Sequence, residues 1–274
     1  MSPPAIPIAL CADDFGLAPG VSQAIADLAV AGRLTSISCM TGTTHWRAES
    51  GRLRDLPDGI EIGLHVTLAS HDRSLAVLAA EAFSGRLNSR AIASEIETQL
   101  DRFEAAAGRQ PDFLDGHLHV HQLPSIRDVV AEIWRTRLAG RPWIRNTATS
   151  AERIARRPVA RLRAGALSCL GAGARRRWSS IGAATNADFA GVRDFNESAG
   201  YRTLMRHYLR NPRAGLLVMC HPGLPDSSLA AVDPVVEPRR GEFDYLASGE
   251  FVDDLRAAGA YLQPISRTCA RVGS

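Results

Sequence analysis

Short apolar runs alternate with longer segments of helical periodicity along most of this 274-residue chain. This alternation predicts parallel strands, because a crossover helix is the usual connection between neighbouring parallel strands. The predicted strands cover residues 6–12, 34–41, 60–66, 112–119, 143–145, 215–220 and 260–265. The predicted helices cover residues 18–31, 91–107, 126–138, 151–170, 201–210 and 249–258. We therefore expect an α/β fold: one domain over residues 1–274, forming an irregular TIM-like (β/α) barrel of about seven parallel strands.

Composition excludes several classes of function. A net charge of +3 is too small to indicate a nucleic-acid-binding protein. Five scattered cysteines without a C-x-x-C pair argue against a disulfide framework or a zinc knuckle. No apolar run approaches the roughly 18 residues of a membrane span, and the first apolar run lacks the basic flank of a signal peptide. These features predict a cytoplasmic location.

Acidic and imidazole side chains lie at or near the ends of four predicted strands. In a barrel of parallel strands, the carboxyl ends share one face, and catalytic groups collect there. Carboxylates and imidazoles are metal ligands as well as proton carriers. If the four clusters meet, the chain is a metal-dependent hydrolase. The residues concerned are Asp13, Asp14, His65, Asp115, His117, His119, His121 and His221.

Asp13 and Asp14 end the first apolar run. Two adjacent carboxylates repel each other, and a divalent cation offsets that repulsion. Since neighbouring side chains of a strand point to opposite sides, one aspartate could ligate a metal while the other faces the substrate. The alternative is that one of them caps the following helix.

Asp115, His117, His119 and His121 are spaced by two residues, so a continuous strand would place them on one face. Fully extended, His117 and His121 would lie about 13 Å apart, too far to share one ion. If the chain coiled after Leu118, they would become i, i+4 neighbours and both could ligate. Spacing alone leaves both arrangements open.

His65 and His221 each follow an apolar run. A single histidine at a strand end is often structural, but an aspartate pair nearby favours a ligand role for His65. The turn residues Pro222 and Gly223 follow His221, which could donate a proton to a leaving group or bond to the backbone.

The segment 135–177 is rich in arginine and contains one acidic residue, Glu152. We expect a helical insertion whose arginines are solvated on the exterior of the barrel. A second interpretation is peripheral contact with anionic lipid or with an anionic substrate. Between Arg153 and Arg177 no aromatic residues interleave the arginines, which disfavours nucleic acid.

Taken together and in this order, the motifs resemble those of the YdjC-like carbohydrate deacetylases, which include chitooligosaccharide deacetylase and hopanoid-associated deacetylases. The resemblance runs from residue 8 to about residue 265 and is weakest in the arginine-rich segment. The family usually has Asn where this chain has Cys11. The motifs are Ala12-Asp13-Asp14-Phe15-Gly16, Gly63-Leu64-His65-Val66-Thr67-Leu68, the Asp115–Pro124 segment and His221-Pro222-Gly223.

The resemblance implies an irregular barrel, a divalent metal (Mg²⁺ or Zn²⁺) and hydrolysis of an N-acetyl group on an amino sugar or glycolipid. It implies that Asp14, His65 and His117 are metal ligands, with His119 in reserve. It also implies that Asp13 is the general base and His221 the general acid.

Other interpretations remain open. The same ligand types serve phosphoesterases and other metal-dependent hydrolases, and a barrel that binds sugars without catalysis is also possible. Loops set specificity, and residues 69–89, 186–198 and 224–245 are candidate walls of a sugar site. A homodimer is also an expectation. Candidate substrate contacts are Arg145, Arg239, Arg240, Glu242 and Tyr245.

Overall fold

A computed structural model describes residues 4–68, 74–195 and 199–268. The described residues contain eight strands, all of which pair in parallel. The strands are β1 (Ile6–Phe15), β2 (Ser36–Cys39), β3 (Glu61–Val66), β4 (Phe113–Gly116), β5 (Trp143–Ile144), β6 (Asp188–Ala190), β7 (Leu216–Cys220) and β8 (Ala260–Leu262).

Helices fill the connections. They are α1 (Pro19–Val30), α2 (Trp46–Glu49), α3 (Leu75–Ser84), α4 (Ser89–Ala107), α5 (Ile126–Thr136), α6 (Ala151–Ala155), α7 (Arg161–Ser180), α8 (Tyr201–Tyr208), α9 (Ser227–Val232), α10 (Glu237–Ala247), α11 (Gly249–Ala257) and α12 (Ile265–Thr268), together with 3₁₀ segments at Ser50–Asp55 and His117–Gln122. None of these helices is both long and apolar enough to cross a membrane, within the part of the chain that the structure describes.

Strand β1 pairs with three strands of the sheet, whose order is β5-β4-β3-β2-β1-β7-β6 with β8 added beside β1. The short strand β8 pairs with the first residues of β1, and β2 pairs with its last residues. Strand β7 pairs along the other side of β1, from Ile8 to Ala12. The part of β1 that leads to Asp13 and Asp14 is thus held in place by strands from distant parts of the chain.

The sheet curls, and hydrogen bonds join its two edges. The amide of Ile144 in β5 donates to the carbonyl of Ala184 at 2.9 Å. The side chain of Asn186, just before β6, accepts from the amide of Asn146 at 2.7 Å and donates to its carbonyl at 2.8 Å. These bonds satisfy buried backbone groups that an open edge would leave unpaired. The expected irregular barrel of about seven parallel strands is confirmed, with β8 as a short addition.

Period-two alternation in β1 separates two apolar regions. Ile8, Leu10 and Ala12 belong to the large core between the sheet and the helices. Ala9 and Cys11 belong to a smaller cluster inside the curl of the sheet. Asp13 continues the second series, and its carboxylate therefore lies among interior groups.

Several predicted elements differ from the structure. The predicted strand 112–119 ends at Gly116, and the predicted helix 151–170 is two helices, α6 and α7. Strand β6 was missed because only three residues pair, too few for a clear pattern. The predicted loops 69–89 and 224–245 contain α3, α9 and α10, although residues 69–73 lie outside the described part, as do residues 196–198 and Cys269.

The arginine-rich segment 135–177 includes β5 and so contributes to the barrel itself. Three of its arginines are buried: Arg145, which follows β5, and the pair Arg153 and Arg157. Arg153 binds Asp188 at 2.9 Å, and Arg157 donates to the carbonyl of Val192. These arginines anchor α6 to the start of β6 and to the chain that follows it, rather than facing solvent as the sequence predicted.

Candidate active site

The carboxyl ends of β1, β3, β4 and β7 carry six of the eight predicted acidic and imidazole residues to one cleft of about 570 Å³. Asp14, His65, His117 and His221 all line it. These residues come from distant parts of the chain, and the parallel sheet brings them together. The predicted convergence is therefore what the structure contains.

Asp14, His65 and His117 form a compact cluster. The Oδ1 atom of Asp14 lies 3.4 Å from Nε2 of His65 and 3.1 Å from Nδ1 of His117. One potential ligand atom from each residue lies within 4.8 Å of the others. Asp14 and His65 are buried, whereas the side chain of His117 is 29% exposed and opens the cluster toward the cleft.

A backbone irregularity aims Asp14 at the imidazoles. The register between β1 and β2 shifts between Ala12 and Phe15, so β1 carries an extra residue there. Asp14 itself has φ of 71°, in the left-handed region. Bulges of this kind redirect side chains near active sites. Burial alone would raise the pKa of Asp14, but the charge of Arg239 and hydrogen bonding to His117 hold it well below its ordinary value.

His65 has a second partner that prepares it as a ligand. Its Nδ1 lies 2.7 Å from Oδ1 of Asp115, and Ser38 Oγ donates to the same oxygen at 2.5 Å. A proton on Nδ1 leaves the Nε2 lone pair directed at the cluster, as in carboxylate–histidine–metal arrangements. Burial alone would lower the pKa of His65, but the charge and hydrogen bond of Asp115 raise it to about 10, so a cation that binds at Nε2 would displace a proton from it. The donor set fits a divalent cation.

Arg145 lies between Asp13 and Asp115 inside the sheet. Its Nη1 and Nη2 donate to the two oxygens of Asp13, each at 2.6 Å, and Nη2 lies 2.7 Å from Oδ2 of Asp115. The same Nη2 lies 3.0 Å from Sγ of Cys11. Cys11, Asp13 and Asp115 are close enough to suggest a second metal group, but the guanidinium already fills that space.

Arg145 was predicted to contact substrate, but the structure buries it between Asp13 and Asp115. Its side chain is fully buried and does not line the cleft. Burial would lower its pKa, but Asp115 and Asp13 hold it well above the ordinary value, so the guanidinium keeps its charge. Asp13 itself does line the cleft. Arg145 thus fixes the carboxylate of Asp13 from inside the sheet, without itself reaching the cleft.

The histidines of the 115–121 run diverge. Leu118 and His119 have φ of 53° and 61°, so the chain turns directly after Gly116 instead of continuing as a strand. His119 packs edge-on against Phe189, with ring centres 5.6 Å apart, and lines the cleft. Nε2 of His121 lies 3.0 Å from the carbonyl oxygen of Arg145.

His121 therefore points away from the cluster of Asp14, His65 and His117. Burial first, and the charges of Arg145 and His65 next, lower its pKa to about 4 despite nearby Asp115. The chain coils directly after Gly116, whereas the alternative that paired His117 with His121 had it coil after Leu118. The one-face arrangement expected from spacing by two is wrong.

His221 follows β7 and is held through its backbone. Its amide donates to Oε2 of Glu242 at 2.6 Å. Nδ1 of the ring is buried and has no hydrogen-bond partner among the described residues. Burial lowers the pKa of His221 below its ordinary value, against the opposing charge of Glu242. The ring borders the cleft.

Arg239 on α10 is the second arginine at the site. Its Nη2 donates to Oδ2 of Asp14 and to Oδ2 of Asp233, each at 2.6 Å. The side chain is buried and lines the cleft. Arg239 therefore occupies one oxygen of Asp14 and leaves the other for the two imidazoles.

The other suggested substrate contacts lie elsewhere. Glu242 is fully buried and binds Arg193 at 2.9 Å. Arg240 pairs with Asp244 on the surface, and the hydroxyl of Tyr245 bonds to Asp254. Residues 186–198 were a candidate wall, and Arg193 and Phe195 from this range do line the cleft, although neither was singled out. Ser38 was missed because it carries no strand-end signal of its own.

Part of the cleft lining is apolar. It consists mainly of aliphatic side chains from helices and loops. A ligand that fits the cleft therefore needs both polar groups and C–H surface. The apolar lining includes Leu17, Leu75, Leu118, Leu167, Val232 and Val235.

Comparisons of the sequence with known proteins identify relatives of this chain. A model of the YdjC-like protein family matches residues 7–257. A mouse protein named carbohydrate deacetylase is 32% identical over 149 residues, 48% of either chain. A Yersinia pestis protein named chitooligosaccharide deacetylase is 33% identical over 141 residues, 45% of this chain and 54% of its own. These matches thus span about half the length of each relative.

A solved structure shares the fold along the whole chain. It is a protein of Enterococcus faecalis proposed to cleave cellobiose phosphate, and it superposes with a TM-score of 0.72 at 19% identity. The superposition covers 97% of this chain and 100% of that one. At this identity the likeness concerns the fold alone.

Proposed function

This chain belongs to the YdjC-like protein family, and from that membership and its cleft we propose that it is a metal-dependent carbohydrate deacetylase. It would hydrolyse an N-acetyl group on an amino sugar or glycoconjugate, giving acetate and a free amine. The names of two relatives, carbohydrate deacetylase and chitooligosaccharide deacetylase, support this substrate class.

The observation that carries the proposal is the meeting of Asp14, His65 and His117 beside Asp13 in one open cleft. A divalent cation held by these three residues would supply Lewis-acid chemistry, activating water and polarising the acetyl carbonyl. Zn²⁺ and Mg²⁺ both fit one carboxylate and two imidazoles. Asp115 and Ser38 support the set by orienting His65.

Asp13 is the proposed general base. It lies next to Asp14 in sequence and borders the cleft, so its carboxylate can take a proton from the attacking water. The two bonds from Arg145 hold the carboxylate in one orientation. Such fixing reduces the reorganisation needed in the transition state.

His221 is the proposed general acid. The departing amine must gain a proton as the C–N bond breaks, and His221 borders the cleft from β7, next to β1. Since burial lowers the pKa of His221, its protonated form is a stronger proton donor than an ordinary imidazolium. The backbone bond to Glu242 fixes the residue without using its ring.

The test is acetate release from N,N′-diacetylchitobiose, measured after EDTA treatment and again after adding Zn²⁺ or Mg²⁺. We expect release that EDTA abolishes and a metal restores. A phosphoesterase would instead hydrolyse p-nitrophenyl phosphate. A non-catalytic sugar-binding barrel would bind the disaccharide without releasing acetate.

Peripheral contact with anionic lipid is a second proposal, which one observation favours. Leu162 in α7 is 92% exposed and lies between Arg161 and Arg163. An apolar side chain flanked by cations suits a membrane surface. Co-sedimentation with phosphatidylglycerol vesicles at low salt tests this, with Leu162→Ser as the variant expected to bind less.

A further inference from the structure

Phe195 forms the wall of the cleft next to His221, and its backbone conformation is unusual. Its φ is 64°, in the left-handed region. Bulky residues rarely adopt this conformation unless their surroundings impose it, and such residues concentrate at functional sites. The position of this ring is therefore imposed by the fold.

Buried charged groups hold Phe195. The guanidinium carbon of Arg193 lies over the phenyl ring, 4.9 Å from its centre. Arg193 binds Glu242 at 2.9 Å, and the side chains of that pair are 6% and 0% exposed. A cation over an aromatic face is a stabilising contact, and more so where water is excluded.

The same carboxylate also fixes His221. Glu242 accepts the backbone amide of His221, whose ring lies edge-on to Phe195 with centres 5.3 Å apart. The phenyl ring and the imidazole thus keep one relative position because both depend on Glu242. Arg193 covers one face of the phenyl ring, and the ring still lines the cleft, where a ligand can reach it.

We propose that Phe195 is the platform on which the sugar ring bearing the acetamide packs, and that it determines specificity for that ring. This rests on the proposed deacetylase function. If His221 protonates the leaving amine, the ring carrying that amine must lie beside His221, where Phe195 is. The C–H face of a pyranose is apolar and packs well on an aromatic face.

Phe195 is distinctive in the described lining of the cleft. The other large apolar side chains there are aliphatic or, in Met219, a thioether, and the remaining aromatic rings are imidazoles. A flat apolar surface beside the proposed general acid thus exists at one position. The polar groups of the cleft remain available for the hydroxyls of the same sugar.

The test compares Phe195→Leu with Phe195→Tyr, using Phe83→Leu as a control. Phe83 is 68% exposed on α3, outside the cleft. Steady-state kinetics use N,N′-diacetylchitobiose, and thermal melting checks that each variant folds. Binding of the same sugar is measured by calorimetry with each substitution combined with Asp13→Asn, which prevents turnover.

We expect Phe195→Leu to raise KM and the sugar dissociation constant about tenfold, with kcat changed by less than about threefold. Phe195→Tyr, which keeps the aromatic face, should restore values near those of the wild type. Phe83→Leu should match the wild type throughout. An unchanged KM in Phe195→Leu overturns the inference, as does a fall in kcat alone, which would mean that Phe195 acts through His221.

Failure of the deacetylase proposal gives a different experimental result from failure of the proposal for Phe195. A wild-type protein that binds the disaccharide but releases no acetate overturns the deacetylase proposal, and the calorimetric comparison still tests Phe195. A wild-type protein that neither binds nor hydrolyses N-acetylated sugars overturns both proposals.

Discussion

Arg145 and Asp13 form a two-bond ion pair across 132 residues of sequence, with both N–O distances at 2.6 Å. The pair lies at the carboxyl ends of its strands, and the arginine has no access to solvent. Fixed in this way, Asp13 presents one orientation to the cleft. Arg145 also neutralises Asp115, which in turn orients His65.

Replacing Arg145 should destabilise the fold. Arg145→Met leaves Asp13 and Asp115 as buried carboxylates without their cation, and breaking such a pair costs about 3–5 kcal/mol. The free energy of unfolding from urea titration measures this loss. The control is Arg135→Met, because Arg135 is exposed and pairs only with Glu132 on the surface among the described residues. The control should change stability by less than about 0.5 kcal/mol. Equal losses of stability in the two variants would contradict the role of Arg145 as the cation that neutralises Asp13 and Asp115.

Removing the charge of Asp115 should weaken metal binding. Asp115→Asn keeps the shape of the side chain but loses the carboxylate that orients His65, and losses of this kind reduce metal affinity about 10–100-fold. Calorimetric titration with Zn²⁺ measures the affinity. Asp128→Asn serves as the control, since Asp128 is exposed and bonds Arg177 far from the cluster. Wild-type affinity in Asp115→Asn would show that His65 needs no such support.

Asp13→Asn should separate metal binding from turnover. The amide cannot take a proton from water, so kcat should fall about 10²–10⁴-fold. Zn²⁺ affinity should stay close to that of the wild type, because Asp13 is not one of the three proposed ligands. Acetate release and calorimetry measure the two properties on one preparation. Full activity in this variant would refute the assignment of Asp13 as the base.

His207 on α8 should make stability depend on pH. Burial and the charges of Arg157, Arg210 and Arg153 lower its pKa from 6.5 to about 4. Between these values the unfolded chain binds a proton that the folded protein does not, so stability is present above pH 6.5 and falls as pH drops toward 4.

His207→Gln should therefore flatten the decline of unfolding free energy over this range. Because His207 is partly exposed, screening limits the effect to about 1 kcal/mol. Urea titrations at several pH values compare the slopes of the wild type and the variant. Parallel curves would show that His207 titrates normally in the folded protein.

The sequence predicted the barrel, and the gathering of acidic and imidazole side chains at one face of it, because both follow from local patterns. Alternating strands and helices imply parallel pairing, and parallel strands carry Asp14, His65 and His117 to one face. The choice of these three residues as the proposed ligands came from the resemblance of the motifs to those of the family.

The features that the sequence did not predict depend on local backbone conformation and on contacts between residues far apart in sequence. The left-handed residues Leu118 and His119 turn the chain after Gly116, and spacing by two contains no sign of them. The role of Arg145 arises from an ion pair over 132 positions. Phe195 lies outside any periodic element, so neither its strain nor its neighbours follow from a motif.

The central place of β1 has a consequence for fragments of this protein. Its partners β2, β7 and β8 come from the first fifth and the last quarter of the chain. A fragment ending before residue 216 would leave one side of β1 with unpaired amides and carbonyls at the strand that bears both aspartates. Such a fragment would lose the strand that supports Asp13 and Asp14 on that side, so the two aspartates gain their full backbone support only when the last quarter of the chain has folded.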